Sequence, residues 1–204
     1  MIYITNDYKN IFFVNFKCCF STFENMVEYK NLYRLSGKYN NIINSKIKNK
    51  IKNDVKLYII TRNPYNRFIS FYNDKFKYCF DGTCKDCDKQ ICQKNIYKYY
   101  PEYKIRNLNF EINDLINCIK KGYWDIHLDL QSNIIKNNIF GKQLNYLKME
   151  DENFNEILQN IIGCKIPKFN STSHLNKTNI LTDSDKLYLF NLYYEDFKQF
   201  SYSK

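Results

Sequence analysis

The β-favouring run Val55-Lys56-Leu57-Tyr58-Ile59-Ile60-Thr61 ends directly on Arg62-Asn63-Pro64, and this junction restricts the fold more than any other stretch of the chain. A short apolar run of this kind reads as a buried strand. The proline disfavours helix at Asn63 and presets φ for a helix that starts immediately after it. Phe68, Ile69, Tyr72 and Phe76 then recur at helical spacing and give that helix one apolar face. The same order occurs earlier: Ile11-Phe12-Phe13-Val14 reads as a strand, residues 16–22 as a turn, and Phe23, Met26, Val27 and Lys30 follow at helical spacing. Two strands, each feeding a helix through a short polar turn, predict βα units and hence an α/β fold whose central parallel sheet is flanked by helices.

The remaining segments fit that plan. Ile112, Leu115, Ile116 and Ile119 form one helical stripe, and Phe154, Ile157, Leu158 and Ile161 another, while residues 143–148 supply a third strand. Thr182-Asp183-Ser184-Asp185 is an N-cap cluster opening a last helix with Leu187, Phe190, Tyr194 and Phe197 on one face. Residues 37–54 are polar and basic without a period and read as a loop or an exposed helix. With 204 residues, no internal repeat and no long linker, the chain is expected to be one domain, 1–204.

The formal charge of +10, from 31 Lys and Arg against 21 Asp and Glu, favours anionic partners such as nucleotides, phosphates, sulfated glycans, nucleic acid or acidic membranes. The two strand–turn–helix junctions say where an anion would sit. A turn that opens a helix presents unpaired backbone N–H groups and the positive end of the helix dipole. Lys17 adds a full charge to the first turn, and Ser21 and Thr22 add hydroxyls. This imitates a nucleotide P-loop, although the sequence Gly-x4-Gly-Lys-Ser/Thr is absent. In the second junction Arg62 stands at the strand end and Ser70 two turns into the helix; an Arg fork with a nearby hydroxyl suits a terminal phosphate.

These two segments resemble those of the Golgi-type carbohydrate sulfotransferases, a branch of the superfamily that uses 3′-phosphoadenosine 5′-phosphosulfate (PAPS) and has a P-loop-NTPase-like fold. Phe16-Lys17-Cys18-Cys19-Phe20-Ser21-Thr22 is similar to the family's Pro-Lys-x-Gly-x-Ser/Thr turn, which binds the donor's 5′ phosphosulfate. Arg62-Asn63-Pro64-Tyr65-Asn66-Arg67-Phe68-Ile69-Ser70-Phe71-Tyr72 resembles, almost position for position, the segment that binds the 3′ phosphate. Weaker echoes follow in the family's order: the stretch with His127 and Gln131, Tyr146-Leu147-Lys148-Met149-Glu150, His174-Leu175-Asn176-Lys177-Thr178, and Tyr194-Glu195-Asp196-Phe197. The chain departs from the pattern in two places. The family's Pro before the Lys is Phe16 here. Its Gly after the Lys is replaced by Cys or Phe, where Gly would permit positive φ and close backbone approach.

The resemblance implies transfer of a sulfuryl group from PAPS to a hydroxyl of a carbohydrate, an acidic glycan suiting the basic surface, with 3′-phosphoadenosine 5′-phosphate (PAP) as product and no nucleic-acid partner. It implies that Lys17, Cys18, Cys19, Phe20, Ser21, Thr22, Arg62 and Ser70 hold the donor. Lys17 is then the catalytic cation at the leaving phosphate and His127 the general base. Glu24, Glu28 and His174 are alternative bases, and Glu150 reads as structural. No apolar run approaches the roughly 18 residues of a membrane span. The sequence as it stands predicts a soluble, cytoplasmic protein, or one of the Golgi lumen if an anchor has been removed. Two other readings compete: a degenerate sulfotransferase fold without turnover, and a basic nucleotide- or nucleic-acid-binding module. A P-loop kinase is disfavoured by the missing Walker sequence.

Cysteine adds a separate question. Cys79, Cys84, Cys87 and Cys92 are spaced as C-x4-C-x2-C-x4-C within a Cys-rich insertion at about 79–95. Such a group suits a tetrahedral zinc or, in an oxidising compartment, two disulfides. Cys18 and Cys19 lie in the Lys17 turn, open to oxidation or modification there, whereas Cys118 and Cys164 read as core residues.

Overall fold

The computed structural model describes residues 1–35, 51, 53–77, 94–101, 110–136, 141–166 and 180–204. Five strands form one sheet in the order β3-β1-β2-β4-β5: β1 (Ile2–Thr5), β2 (Asn10–Val14), β3 (Leu32–Arg34), β4 (Lys56–Thr61) and β5 (Leu144–Lys148). The helices are α1 (Phe20–Glu28), α2 (Pro64–Tyr72), α3 (Ile112–Lys120), α4 (Asn133–Lys136), α5 (Phe154–Ile162), α6 (Asp183–Leu192) and α7 (Tyr194–Gln199). A π-helical turn, Asn73–Lys77, continues α2, and a 3-10 turn, Ile126–Leu128, precedes α4.

The expected βα units are present. β2, β4 and β5 run parallel, with Phe13 opposite Ile59 and Ile59 opposite Tyr146. Their carboxyl ends therefore share one edge of the sheet, the edge at which open α/β sheets bind ligands. Period-two alternation along β2 covers both faces. Ile11 and Phe13 join Ile4, Leu57, Ile59, Ile134 and Phe200 on one side. On the other, Phe12 and Val14 join Ile60, Phe23 and Met26 of α1, and Phe154 and Leu158 of α5. Burying each such side chain is worth about 1.5–3 kcal/mol. A further cluster packs α2 against α3, α6 and α7 through Phe68, Phe71, Leu115, Ile116, Leu189 and Phe197.

At the start of α2 the sequence chemistry is executed as expected. Pro64 occupies the first turn, and the Asn63 side chain caps it by accepting from the backbone N–H groups of Tyr65 and Asn66. That fixes the direction in which α2 leaves the sheet, and with it the positions of Ser70 and the π turn.

The parallel sheet expected of the βα units is present and is extended at one edge, and one further expectation needs correction. The sheet is parallel only from β2 to β5; β1 pairs antiparallel with both β2 and β3. These two strands are four and three residues long, too short for alternation to announce them. The last helix is not continuous: Tyr193, at φ −108 and ψ 23, separates α6 from α7. Leu187 and Tyr194 are exposed, at 49% and 48%, and the inward face is instead Leu189, Tyr193, Asp196, Phe197 and Phe200, which keep helical spacing across the break. The cysteines at 79, 84, 87 and 92, most of residues 37–54, and His174 lie outside the described residues. Among the described residues, no helix is long and apolar enough to cross a membrane, and no group of His, Cys, Asp and Glu could hold a metal ion.

Candidate active site

The turn between β2 and α1 is built on two left-handed residues, Lys17 at φ 64 and Cys19 at φ 59. Cys19 stands where the resemblance expects Gly and takes the conformation for which Gly is suited. It is also the residue preceding α1, and it offers that helix no side-chain cap. Among the described residues, the first N–H groups of α1 thus have no side-chain cap from the turn, the arrangement that suits an anion. Ser21 is exposed and Thr22 half-buried in that first turn, and the Phe20 ring lies 4.9 Å from Phe16.

The second junction meets the first directly. Arg62, following β4, donates from Nη1 to the carbonyl oxygen of Lys17 at 3.2 Å. Gln131, fully buried, clamps both turns. Its Oε1 accepts from the Arg62 backbone N–H at 2.9 Å and from the Cys18 thiol at 3.0 Å, and its Nε2 donates to the Arg62 carbonyl at 2.8 Å. Its own carbonyl accepts from Asn15 Nδ2 at 3.0 Å. Asp196 of α7 holds the clamp from beneath, accepting from the backbone N–H groups of Gln131 and Ser132, both at 2.8 Å. Buried Arg67 donates to the Asp129 carbonyl and lies 5.4 Å from the Tyr193 ring centre. Ser70 is half-buried on α2, one turn before Asp74.

Lys17 forms an ion pair with Asp74, which also lies 3.5 Å from Lys75 Nζ. Burial pulls the Lys17 ammonium below the usual lysine range; Asp74 opposes this, while Lys75 and Arg62 add to it. Two lysines thus share the Asp74 carboxylate at the carboxyl edge of the sheet, with Arg62 close by on the Lys17 carbonyl.

His127 completes the edge. Its ring is stacked on Phe71 of α2 at 5.3 Å and packed on Phe16 at 4.6 Å, and Nδ1 pairs with Asp125. An ionised carboxylate can only accept, so Nδ1 carries the hydrogen and Nε2 is left to accept one. The phenylalanines before Lys17 and after Ser70 therefore bring the candidate base to the candidate cation.

Several expected groups have other employment. Burial pushes the thiols of Cys18 and Cys19 up to about 12, which disfavours the thiolate form at either. Glu24 accepts from Tyr3 OH at 2.6 Å and pairs with Arg34, away from the turn. Glu150 is structural, as expected: it accepts from Asn63 N at 3.0 Å, Asn66 Nδ2 at 3.3 Å and Tyr202 OH at 3.1 Å. Sequence reasoning missed Asp74, Lys75 and Asp125 altogether, and gave Gln131 no role.

Fold and site together define an α/β domain of the P-loop-like kind, with a cationic edge and a carboxylate-paired histidine beside it. The chain belongs to the sulfotransferase family, whose model matches residues 3–203. No curated protein and no solved structure matches it significantly.

Proposed function

We propose that the protein transfers a sulfuryl group from PAPS to a hydroxyl of a carbohydrate. The observation that carries this reading is the convergence of Lys17, Arg62 and His127 at the carboxyl ends of β2 and β4. The donor set fits PAPS: the uncapped start of α1 and Lys17 would take the 5′ phosphosulfate, and Arg62 with Ser70 the 3′ phosphate. The donor supplies an activated sulfuryl group. His127 takes the acceptor's proton on Nε2 as the acceptor oxygen forms its bond to sulfur, and Asp125 stabilises the imidazolium that results. Lys17 neutralises the charge that passes to the phosphate oxygen as its bond to sulfur breaks. The basic surface supports an acidic glycan as acceptor.

Calorimetric titration with PAP and with adenosine 5′-phosphosulfate tests the donor assignment. Arg62→Ala and Ser70→Ala should weaken PAP more than adenosine 5′-phosphosulfate, because only PAP carries the 3′ phosphate. Equal losses for the two ligands would remove that role. Desulfated acidic glycans with sulfur-labelled donor then identify the acceptor.

A further inference from the structure

The π-helical turn that follows α2 begins at Asn73, so Asp74 stands at the point where the helix widens. Such turns are frequent at functional sites because the added residue redirects side chains that a regular helix would place elsewhere. Here it presents Asp74 to Lys17 of the β2–α1 turn, with the neighbouring Lys75 Nζ 3.5 Å from the same carboxylate. The Lys17 side chain is 15% exposed and that of Asp74 37%, so the pair sits at the mouth of the site, open on the carboxylate side.

We infer that Asp74 is the positioning residue of Lys17, its carboxylate standing in for a donor oxyanion and holding the ammonium at the turn until a phosphate replaces it. The inference rests on the reading that Lys17 binds the donor's 5′ end. Two features support it. Among the described residues, Lys17 and Lys75 both lie against the Asp74 carboxylate, and Arg62 is close enough to Lys17 to bias its protonation. An arriving phosphate also needs the place that Asp74 holds, because two like charges at one ammonium repel each other.

Asp74 has a second effect, on protonation. Among the described residues, the charged groups facing Lys17 are Asp74 and Lys75 from the π turn and Arg62 from the end of β4. Burial, Lys75 and Arg62 all favour the neutral amine, and Asp74 alone among them favours the ammonium. Without Asp74, Lys17 loses its proton at a lower pH. Binding that needs the ammonium is then present on the acid side of that pH and lost on the alkaline side.

The experiment is a calorimetric PAP titration of the full chain between pH 7 and 10, for the unaltered protein, Asp74→Asn and Asp74→Glu. At pH 7, Asp74→Asn should bind PAP more tightly than the unaltered protein, since the competing carboxylate is gone. Its affinity should begin to fall about one to three pH units earlier on the alkaline side, the usual effect of removing one close opposite charge. The two profiles should therefore cross, and Asp74→Glu should restore the unaltered profile. Parallel or superimposable profiles for Asp74→Asn would overturn the inference while leaving the donor reading intact, because a purely structural role weakens binding equally at every pH. Absence of PAP binding by the unaltered protein would overturn the donor reading and this inference with it. Matching thermal melts at pH 7 check that the variants are folded, and Asp74→Ser serves in place of Asp74→Asn should that variant misfold.

Discussion

Lys17 and His127 are joined through the packing of Phe16, yet the reading above gives them separable tasks. Lys17→Ala should lower turnover strongly and weaken PAP as well, since the charge acts on a phosphate present in both substrate and product; such a loss is worth about 3–4 kcal/mol in the transition state. His127→Ala should leave PAP affinity nearly intact and lower turnover by about a hundred- to ten-thousandfold. Calorimetry and a labelled-sulfate assay on the same two variants separate these outcomes, and normal turnover in His127→Ala would place the base elsewhere. Both could be named from the sequence as candidates because each lies in a local motif. Gln131 could not, although it ends one of those segments. The partners of its amide are Arg62, 69 residues away, and Cys18, 113 residues away, and no local pattern encodes such distances.

At the level of elements, what could be read was what local chemistry decides: the apolar run of β4, the Pro64 and Asn63 start of α2, and the stripe of α3. What escaped depends on tertiary packing. The break at Tyr193 is marked by no Pro or Gly in the sequence, and the segment carries a second helical stripe, Leu189, Tyr193, Asp196, Phe197 and Phe200, which is the one that packs inward. The β2–α1 turn was legible in its charges but not in its backbone. Cys19 at φ 59 shows that the left-handed position survives the loss of Gly. Cys19→Gly should therefore keep the fold and PAP binding, whereas Cys19→Val places a β-branched side chain where it is strained and should cost about 1–3 kcal/mol. Urea unfolding measures the difference; equal stabilities for the two variants would mean that the turn tolerates any side chain and that its left-handed backbone imposes nothing.

For the molecule as a whole, donor binding and stability are linked. PAP at a hundred times its dissociation constant should add about 2.7 kcal/mol. For a chain of this size that raises the melting temperature by about 5–10 °C, measurable by scanning calorimetry; an unchanged melt at saturating PAP would speak against the site. The Gln131 clamp has one more consequence, in time rather than in energy. It ties Asn15 to a residue 116 positions on, which is braced in turn by Asp196, 65 positions further. Thr61, at the end of β4, meets Tyr202 across 141 positions. Synthesis delivers the Lys17 turn first and its brace last, and contacts this distant in sequence form slowly. A ribosome-bound chain that already displays Lys17 and Arg62 therefore lacks the full brace of the proposed site until Asp196 and Tyr202 have emerged.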